Sequence, residues 1–502
     1  MVRKKKTSFL KKTSTLKKTH TFESLDPRTG NVLARYPKTS PEEVFEIVDL
    51  AHDAAQVWQS LGYTKRKKVL LAWAAHLVTQ MDVGAQIIAD ETGKPLSDAK
   101  LEVGIAIDHI SWAAKNARSI LETSYRPSGL LMFNMSSRVE RSPYGVIGVI
   151  GPWNYPLFTP MGSIAYALAA GNAVVFKPSE YTPGVGVWIA ETFEKFAPCE
   201  FLFTTVTGLP ETGQALTESA VDKISFTGST RTAKKVAASC AQRMVPTILE
   251  CGGKDAMLVD RDADLARAAD GILWSAMANA GQSCIGAERV YVHQDVSQKF
   301  KNLIVEKARD LKPGVNYGPA TMPTQLAVID SHIKDAAKRG GKFLVGDKNA
   351  VKAPYVSPVI MEDVPEDSLE MTDETFGPTL VINTVKSMNE AILLANNSRY
   401  GLGASVWSKR NGNKIASQLR TGMVSVNSVF TFAAVPSVPF GGVQDSGSGR
   451  IHGPEGLLEM TYPRTVVKTR FTIPLVFTSF KRSAGADRLI MKLIRTLHGR
   501  RF

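Results

Sequence analysis

Cys284 stands in Gly281-Gln282-Ser283-Cys284-Ile285-Gly286, where small neighbours leave a sulfur accessible and glycines let backbone approach a ligand closely. A thiol nucleophile needs that setting, although most free cysteines are buried and inert and the same residues fit a structural thiol. Glu250 lies in Leu249-Glu250-Cys251-Gly252-Gly253-Lys254, directly after the strand-like Pro246-Thr247-Ile248. A carboxylate at a strand end beside two glycines can face a cavity, where desolvation raises its pKa toward that of a working general base; pairing with Lys254 is the competing reading. Asn154 follows the apolar run Val146 to Ile150 in Gly151-Pro152-Trp153-Asn154-Tyr155-Pro156. Two prolines stiffen that loop, so its amide could be a fixed donor to a developing oxyanion; a plain turn containing asparagine would look the same.

Two further segments suit a phosphate-bearing cofactor. Phe176-Lys177-Pro178-Ser179-Glu180 follows a strand and sets a cation and an acid three residues apart, able to hold ribose hydroxyls. Phe226-Thr227-Gly228-Ser229-Thr230 closes another strand and opens a helix near Ser229, whose free amides and dipole favour a pyrophosphate. Neither contains the GxGxxG fingerprint of dinucleotide sites.

The elements that must position these residues are legible in the patterning. Ser40-Pro41-Glu42-Glu43 is a capping box with proline at the first helical position, and Val44, Ile47, Val48, Ala51 and Ala55 follow at helical spacing, which predicts a helix over about 41–58. From about residue 145, short β-branched runs alternate with helical stretches: 146–150, 173–176, 201–206 and 223–226. A second alternating stretch starts near Ile248, includes 256–259, 290–292 and 380–382, and ends near the glycine-rich 441–449. That rhythm means βαβ units and parallel sheets covered on both faces, in two successive α/β domains without an internal repeat.

At 502 residues the chain exceeds what one core usually organises, and its 44% hydrophobic and 22% charged residues are those of an ordinary globular protein. No segment has the apolar length of a spanning helix or a secretory signal, and four sparse cysteines give no disulfide framework, so reduced thiols in the cytoplasm are expected. The net charge of +14 belongs to the tails: residues 1–20 carry eight Lys or Arg and no acid, residues 471–502 carry seven against Asp487 alone, and the body between is neutral. A specific nucleic-acid partner is therefore not expected of the body. The first twenty residues cannot bury enough apolar surface to order themselves and are expected to be a disordered arm. From about 486, Leu489, Ile490, Leu493, Ile494 and Leu497 share one helical face and Arg488, Lys492 and Arg495 the other. Two readings stay open for this basic amphipathic helix: docking on protein, or peripheral membrane contact through 486–502.

Together and in this order, the motifs resemble the aldehyde dehydrogenase superfamily over about residues 21–470. The marks are Gly151-Pro152-Trp153-Asn154, Lys177-Pro178-Ser179-Glu180, Phe226-Thr227-Gly228-Ser229, Glu250 with Gly252-Gly253-Lys254, Gly281-Gln282 with Cys284, and Glu374-Thr375-Phe376-Gly377-Pro378. The resemblance implies an α/β fold with a Rossmann-like parallel-sheet cofactor domain (21–119 and 143–251), an α/β catalytic domain (252–445) and a small β extension that pairs subunits (120–142 and 460–470). The disordered arm (1–20) and the amphipathic extension (471–502) flank these. The implied activity is NAD(P)-dependent oxidation of a small-molecule aldehyde to its acid by a homodimer or homotetramer, without a metal. In the implied roles, Cys284 is the nucleophile, Glu250 the general base, and Asn154 with the Cys284 backbone amide the oxyanion hole. Lys177 and Glu180 hold the adenosine ribose, Gly228 and Ser229 the pyrophosphate and Glu374 the nicotinamide ribose, while Trp153 and Phe376 lie near the cofactor.

Glu180 favours NAD over NADP by repelling a 2′-phosphate, an effect that Lys177 blunts. Relatives that acylate CoA or reduce acyl phosphates generally lack the acid at the Glu250 position, and intact Cys284, Glu250 and Asn154 argue against a scaffold built on a dead enzyme. Two departures stand out. Cys251 replaces the larger apolar residue usual beside the base, expected to be a packing substitution, and Ala233 stands where many members have glycine. Which aldehyde is oxidised is not readable; a carboxylated one would need a pocket arginine, Arg289 or another.

Overall fold

The computed structural model describes residues 20–473 and 479–499; the basic arm of residues 1–20, His20 excepted, lies outside them. The chain divides into two units, Met1–Ile120 with Pro143–Thr461, and Leu121–Ser142 with Tyr462–Phe502.

Within the first unit the predicted capping box forms at the head of the helix Pro41–Ser60: the Ser40 hydroxyl accepts from the Glu43 amide at 3.3 Å, and the Glu43 carboxylate accepts from the Ser40 amide at 2.8 Å. The helix buries Val44, Ile47, Val48, Ala51 and Trp58 and packs on the strand Ala173–Lys177. That strand belongs to a six-stranded sheet ordered Gly447–Ser448, Thr247–Glu250, Lys223–Thr227, Val146–Ile150, Ala173–Lys177, Phe203–Thr205. The last five are parallel and Gly447–Ser448 is antiparallel to its neighbour. Their spatial order is doubly wound, and its reversal falls between Val146–Ile150 and Lys223–Thr227, where such sheets open a crevice at the strands' carboxyl ends. The strand expected over 201–206 is shorter because Phe201 has φ 61°, which breaks the extended chain before Phe203.

The second sheet of this unit has seven strands, ordered Lys342–Val345, Val359–Glu362, Thr379–Val385, Arg289–His293, Ala256–Val259, Gly403–Trp407, Met423–Val426. All neighbours are parallel except Lys342–Val345, which runs antiparallel at the edge. Both faces are covered, and side-chain alternation assigns residues to each. Met257 and Val259 join Ile272, Leu273, Phe300 and Ile304 on one face. Ala256 and Leu258 join Ile329, Ile333 and Ile392 on the other.

The second unit holds a three-stranded sheet with Met135–Pro143 between Ser124–Arg126 and Thr461–Thr469. Arg464 grips the Glu140 carboxylate at 2.6 Å. The unit also holds the helix Ala484–His498, which starts two residues before the sequence suggested because Ser483 caps it, accepting from the Ala486 amide at 3.2 Å. Among the described residues, no helix is long and apolar enough to cross a membrane.

Candidate active site

The loop that carries Cys284 is shaped by a run of left-handed backbone. The helix Leu265–Met277 ends in Asn279, Ala280 and Gly281 with φ of 53°, 57° and 70°. At Gly281 a Cβ would collide with the Gly377 carbonyl, so only glycine allows this close approach. Gln282 then staples the turn: its amide donates to the Asn279 carbonyl at 2.8 Å and the Pro319 carbonyl at 3.2 Å, and its oxygen accepts from the Thr321 amide at 2.8 Å. Cys284 follows, only partly buried and not in a disulfide. Burial pushes its thiol up, and the carboxyls of Glu374, Asp255 and Glu250 add to the shift.

Glu250 ends the strand Thr247–Glu250 and is buried, and among the described residues neither carboxyl oxygen has a hydrogen-bond partner. Burial raises its pKa well above that of an ordinary glutamate; Arg450 opposes the shift and Glu459 adds to it. The competing reading fails: Lys254 is held by Glu288 and donates to Thr375 Oγ1 at 3.2 Å, which leaves Glu250 unpaired. Gly441 makes the space, since a Cβ there would sit 2.7 Å from Glu250 Oε1. The glycines after Glu250 join three segments. A Cβ on Gly252 would strike the Glu374 carboxylate, one on Gly253 would lie 2.6 Å from the Cys284 carbonyl, and the Gly253 amide donates to Glu374 at 3.0 Å. Glu374 is itself pushed up to about 8, by burial first and by Glu288 second. Cys251 is buried, and burial followed by Glu250 raises its thiol to about 12, as befits a packing residue.

Asn154 is buried, and its side-chain amide donates to the Gln282 carbonyl at 2.9 Å, which leaves the second N–H to give. Its backbone carbonyl accepts from Lys94 at 2.8 Å and from the Asn279 side chain at 3.0 Å. Lys94 in turn meets Glu102 at 2.7 Å with both side chains about 1% exposed, and Glu102 accepts from the Leu157 amide at 2.9 Å. Lys94 and Glu102 thus pin the Asn154 loop, and sequence reasoning missed both. A signal existed: Glu102 is an acid within the stripe Ala99, Val103, Ala106 and Ile110, all buried.

At the switch point of the first sheet opens a cleft of about 1310 Å³ lined by Trp153, Lys177, Glu180, Gly228 and Ser229. Lys177 and Glu180 form an ion pair at 3.3 Å; burial lowers the Lys177 pKa and Glu180 partly restores it. Ser229 caps the helix Thr230–Ala241, and Ala233 fits there as the buried donor to the Ser229 carbonyl at 2.9 Å. Arg231 and Lys235 also line the cleft and were not singled out from the sequence, where they read as solvated charges of a helix. Phe376 meets Trp153 edge to face, centroids 5.4 Å apart, while Glu374 stands at Gly252-Gly253 rather than in the cleft wall. Cys284, Glu250 and Asn154 lie outside that lining, and the Gly228 amide ties the cleft to the acid by donating to the Glu250 carbonyl at 3.0 Å.

Arg289 is engaged by the backbone around it. Its guanidinium is buried and donates to the Lys254 carbonyl at 2.7 Å and to the carbonyls of Leu394 and Ala395 at 3.5 and 3.4 Å.

Residues 14–466 match the model of the aldehyde dehydrogenase family. A curated relative, the 4,4'-diapolycopene aldehyde oxidase of a Methylomonas species, is 35% identical over 473 residues, covering 92% of this chain and 88% of its own. The glutarate-semialdehyde dehydrogenase of Pseudomonas aeruginosa is 32% identical, covering 87% and 92%. Among solved structures, PnpE from Pseudomonas sp. WBC-3, also solved in complex with nicotinamide adenine dinucleotide, aligns with a TM-score of 0.87 at 31% identity over 92% of this chain and 96% of its own.

Proposed function

We propose how this enzyme works from one premise: the chain belongs to the aldehyde dehydrogenase family and oxidises aldehydes. The cofactor is NAD, with NADP as the alternative. A dinucleotide suits the cleft's size and its donor set, with a helix N-terminus and Arg231 and Lys235 for phosphates, and Lys177 and Glu180 for ribose hydroxyls. When bound it supplies a hydride acceptor. The chain's own residues do the rest.

Cys284 gives its thiol proton to solvent water as its sulfur attacks the carbonyl carbon, and the carbonyl oxygen gains the charge. The spare N–H of Asn154 and the Cys284 backbone amide stabilise that oxyanion; one such donor is worth about 3 kcal/mol. Loss of hydride from the carbon leaves a thioester on Cys284. Glu250 then takes a proton from water, hydroxide adds to the acyl carbon, and the C–S bond breaks to free the acid and the thiolate. The observation that carries this reading is the pair of buried oxygens on Glu250 that have no hydrogen-bond partner among the described residues. A buried acid without a partner costs a few kcal/mol unless something arrives to bond it, and water awaiting deprotonation is such a partner. The test is mass spectrometry of Glu250→Gln mixed with NAD and aldehyde. An acyl adduct on the Cys284 peptide is expected, and an unmodified peptide after one turnover's worth of NADH refutes the assignment.

The aldehyde is uncharged. The segments that carry Asn154 and Cys284, residues 151–162 and 282–287, contain no Lys or Arg. Nearby cations are engaged: Lys94 by Glu102, Lys254 by Glu288, Arg289 by backbone carbonyls, and Arg450 by the carbonyls of Gly442 and Gly449. A straight-chain alkanal is expected to give a higher kcat/KM than a semialdehyde carrying a carboxylate; the reverse order overturns this reading. The three-stranded sheet of the second unit exposes Tyr125 and Val467, which supports its pairing subunits into a homodimer or homotetramer, a point that light scattering decides.

A further inference from the structure

The helix Ala484–His498 has no buried residue, although more than a third of its positions are Leu, Ile or Met. Leu489, Met491, Leu493 and Leu497 are 44, 50, 41 and 38% exposed. At 100° per residue, Leu489, Leu493, Leu497, Ile490 and Ile494 fall within one arc, and Arg495, Arg488 and Lys492 fall within another on the far side. The helix's single acid, Asp487, is paired with Arg482 just ahead of it. Among the described residues of the single chain, nothing covers this apolar stripe. The helix's polar arc offers only cations, which suits an anionic surface.

The charge of the whole chain points the same way. The body is neutral and the entire excess lies in the two tails, so net attraction to an extended anionic surface comes from the tails. Fifteen residues make a rod of about 22 Å, too short to cross a hydrocarbon core of about 30 Å, and three cations on one side forbid it. Such a helix is fitted to lie flat, its leucines among acyl chains and its arginines at the headgroups.

We infer that Ala484–His498 docks the enzyme on the surface of a bilayer containing anionic lipids, with Leu489, Ile490, Leu493, Ile494 and Leu497 inserted and Arg488, Lys492 and Arg495 facing the headgroups. Docking stands on the helix alone. Its use rests on the uncharged-aldehyde reading above: an aldehyde with a long apolar chain partitions into the bilayer, and the helix holds the site beside it.

The experiment is sedimentation of the full-length enzyme with vesicles of phosphatidylcholine, with and without about one-third phosphatidylglycerol. Binding is expected with the anionic vesicles, weakening as salt rises, and weak with phosphatidylcholine alone. The double substitution Leu493→Asp with Leu497→Asp and the triple substitution Arg488→Gln, Lys492→Gln, Arg495→Gln should each lower binding at least about tenfold, since each cation near an anionic surface contributes roughly fivefold. Deletion of 484–502 should do the same and covers the event that a point variant misfolds. Oxidation of propanal without vesicles should be unchanged in all three, so that loss of binding and loss of the enzyme reading are told apart. Three outcomes overturn the proposal: no sedimentation of the intact enzyme, binding that survives deletion of the helix, or a helix-dependent change of oligomeric state with no affinity for lipid.

Discussion

The first sheet presents the carboxyl ends of its strands to the site, with Asn154, Lys177, Ser229 and Glu250 each at or shortly after a strand end. The second presents amino ends, with Gly253, Cys284 and Glu374 each a few residues ahead of a strand. Both are covered parallel sheets, so the difference comes from the connection. The chain passes from Glu250 into Ala256 without turning back, so the tail of one sheet meets the head of the other. The loops are fixed differently as well. Backbone bonds tie those of the first sheet to one another, as in Gly151 to the Lys177 carbonyl and Gly228 to the Glu250 carbonyl, both 3.0 Å, with Lys94 and Glu102 added only at the Asn154 loop. Those of the second sheet are held by buried side chains, Gln282, Glu288 and Glu374. Dinucleotide binding and chemistry should accordingly be separable by mutation.

The largest break is on the second sheet's side. Cys284→Ala should remove turnover by at least about 10⁴-fold while the Kd for NAD, read by fluorescence quenching, stays within about twofold. Glu250→Gln comes next: stopped-flow should show a burst of NADH retained and the steady rate down about 10³-fold. The same residue sets a pH limb. A base must be ionised to act, and burial delays ionisation to higher pH, so the wild-type steady rate should rise with pH with an inflection above the ordinary glutamate range. That limb should vanish from deacylation in the glutamine variant; a limb unchanged by the substitution assigns it to another group.

Asn154→Ala should lower the burst and steady rates together by about 10²-fold, the scale of one lost oxyanion donor. Glu102→Gln acts through position. Breaking a buried pair with Lys94 should cost roughly 3 kcal/mol in denaturant titrations and lower kcat about tenfold, with NAD affinity intact. The smallest effect lies in the first sheet: Glu180→Gln should raise the kcat/KM for NADP relative to NAD by several-fold, about a 1 kcal/mol relief of like-charge repulsion at a half-exposed site already neutralised by Lys177.

What could be read along the chain was local. A capping box, an alternation of four or five β-branched residues, or a serine ahead of a helix depends on neighbours within a turn. So the helix from Pro41, the strand Val146–Ile150 and the Ser229 cap follow from the residues themselves. The types of Cys284, Glu250 and Asn154, and their order among glycines, were equally plain. The fold alone decided which groups meet. Lys254 stands four residues from Glu250 yet pairs with Glu288, 34 residues away, and this leaves the carboxylate bare. Glu102 reaches an amide 55 residues on, and Arg289 is spent on backbone carbonyls. Such pairings minimise the cost of burying charge over the whole packed interior, and no local pattern encodes that sum.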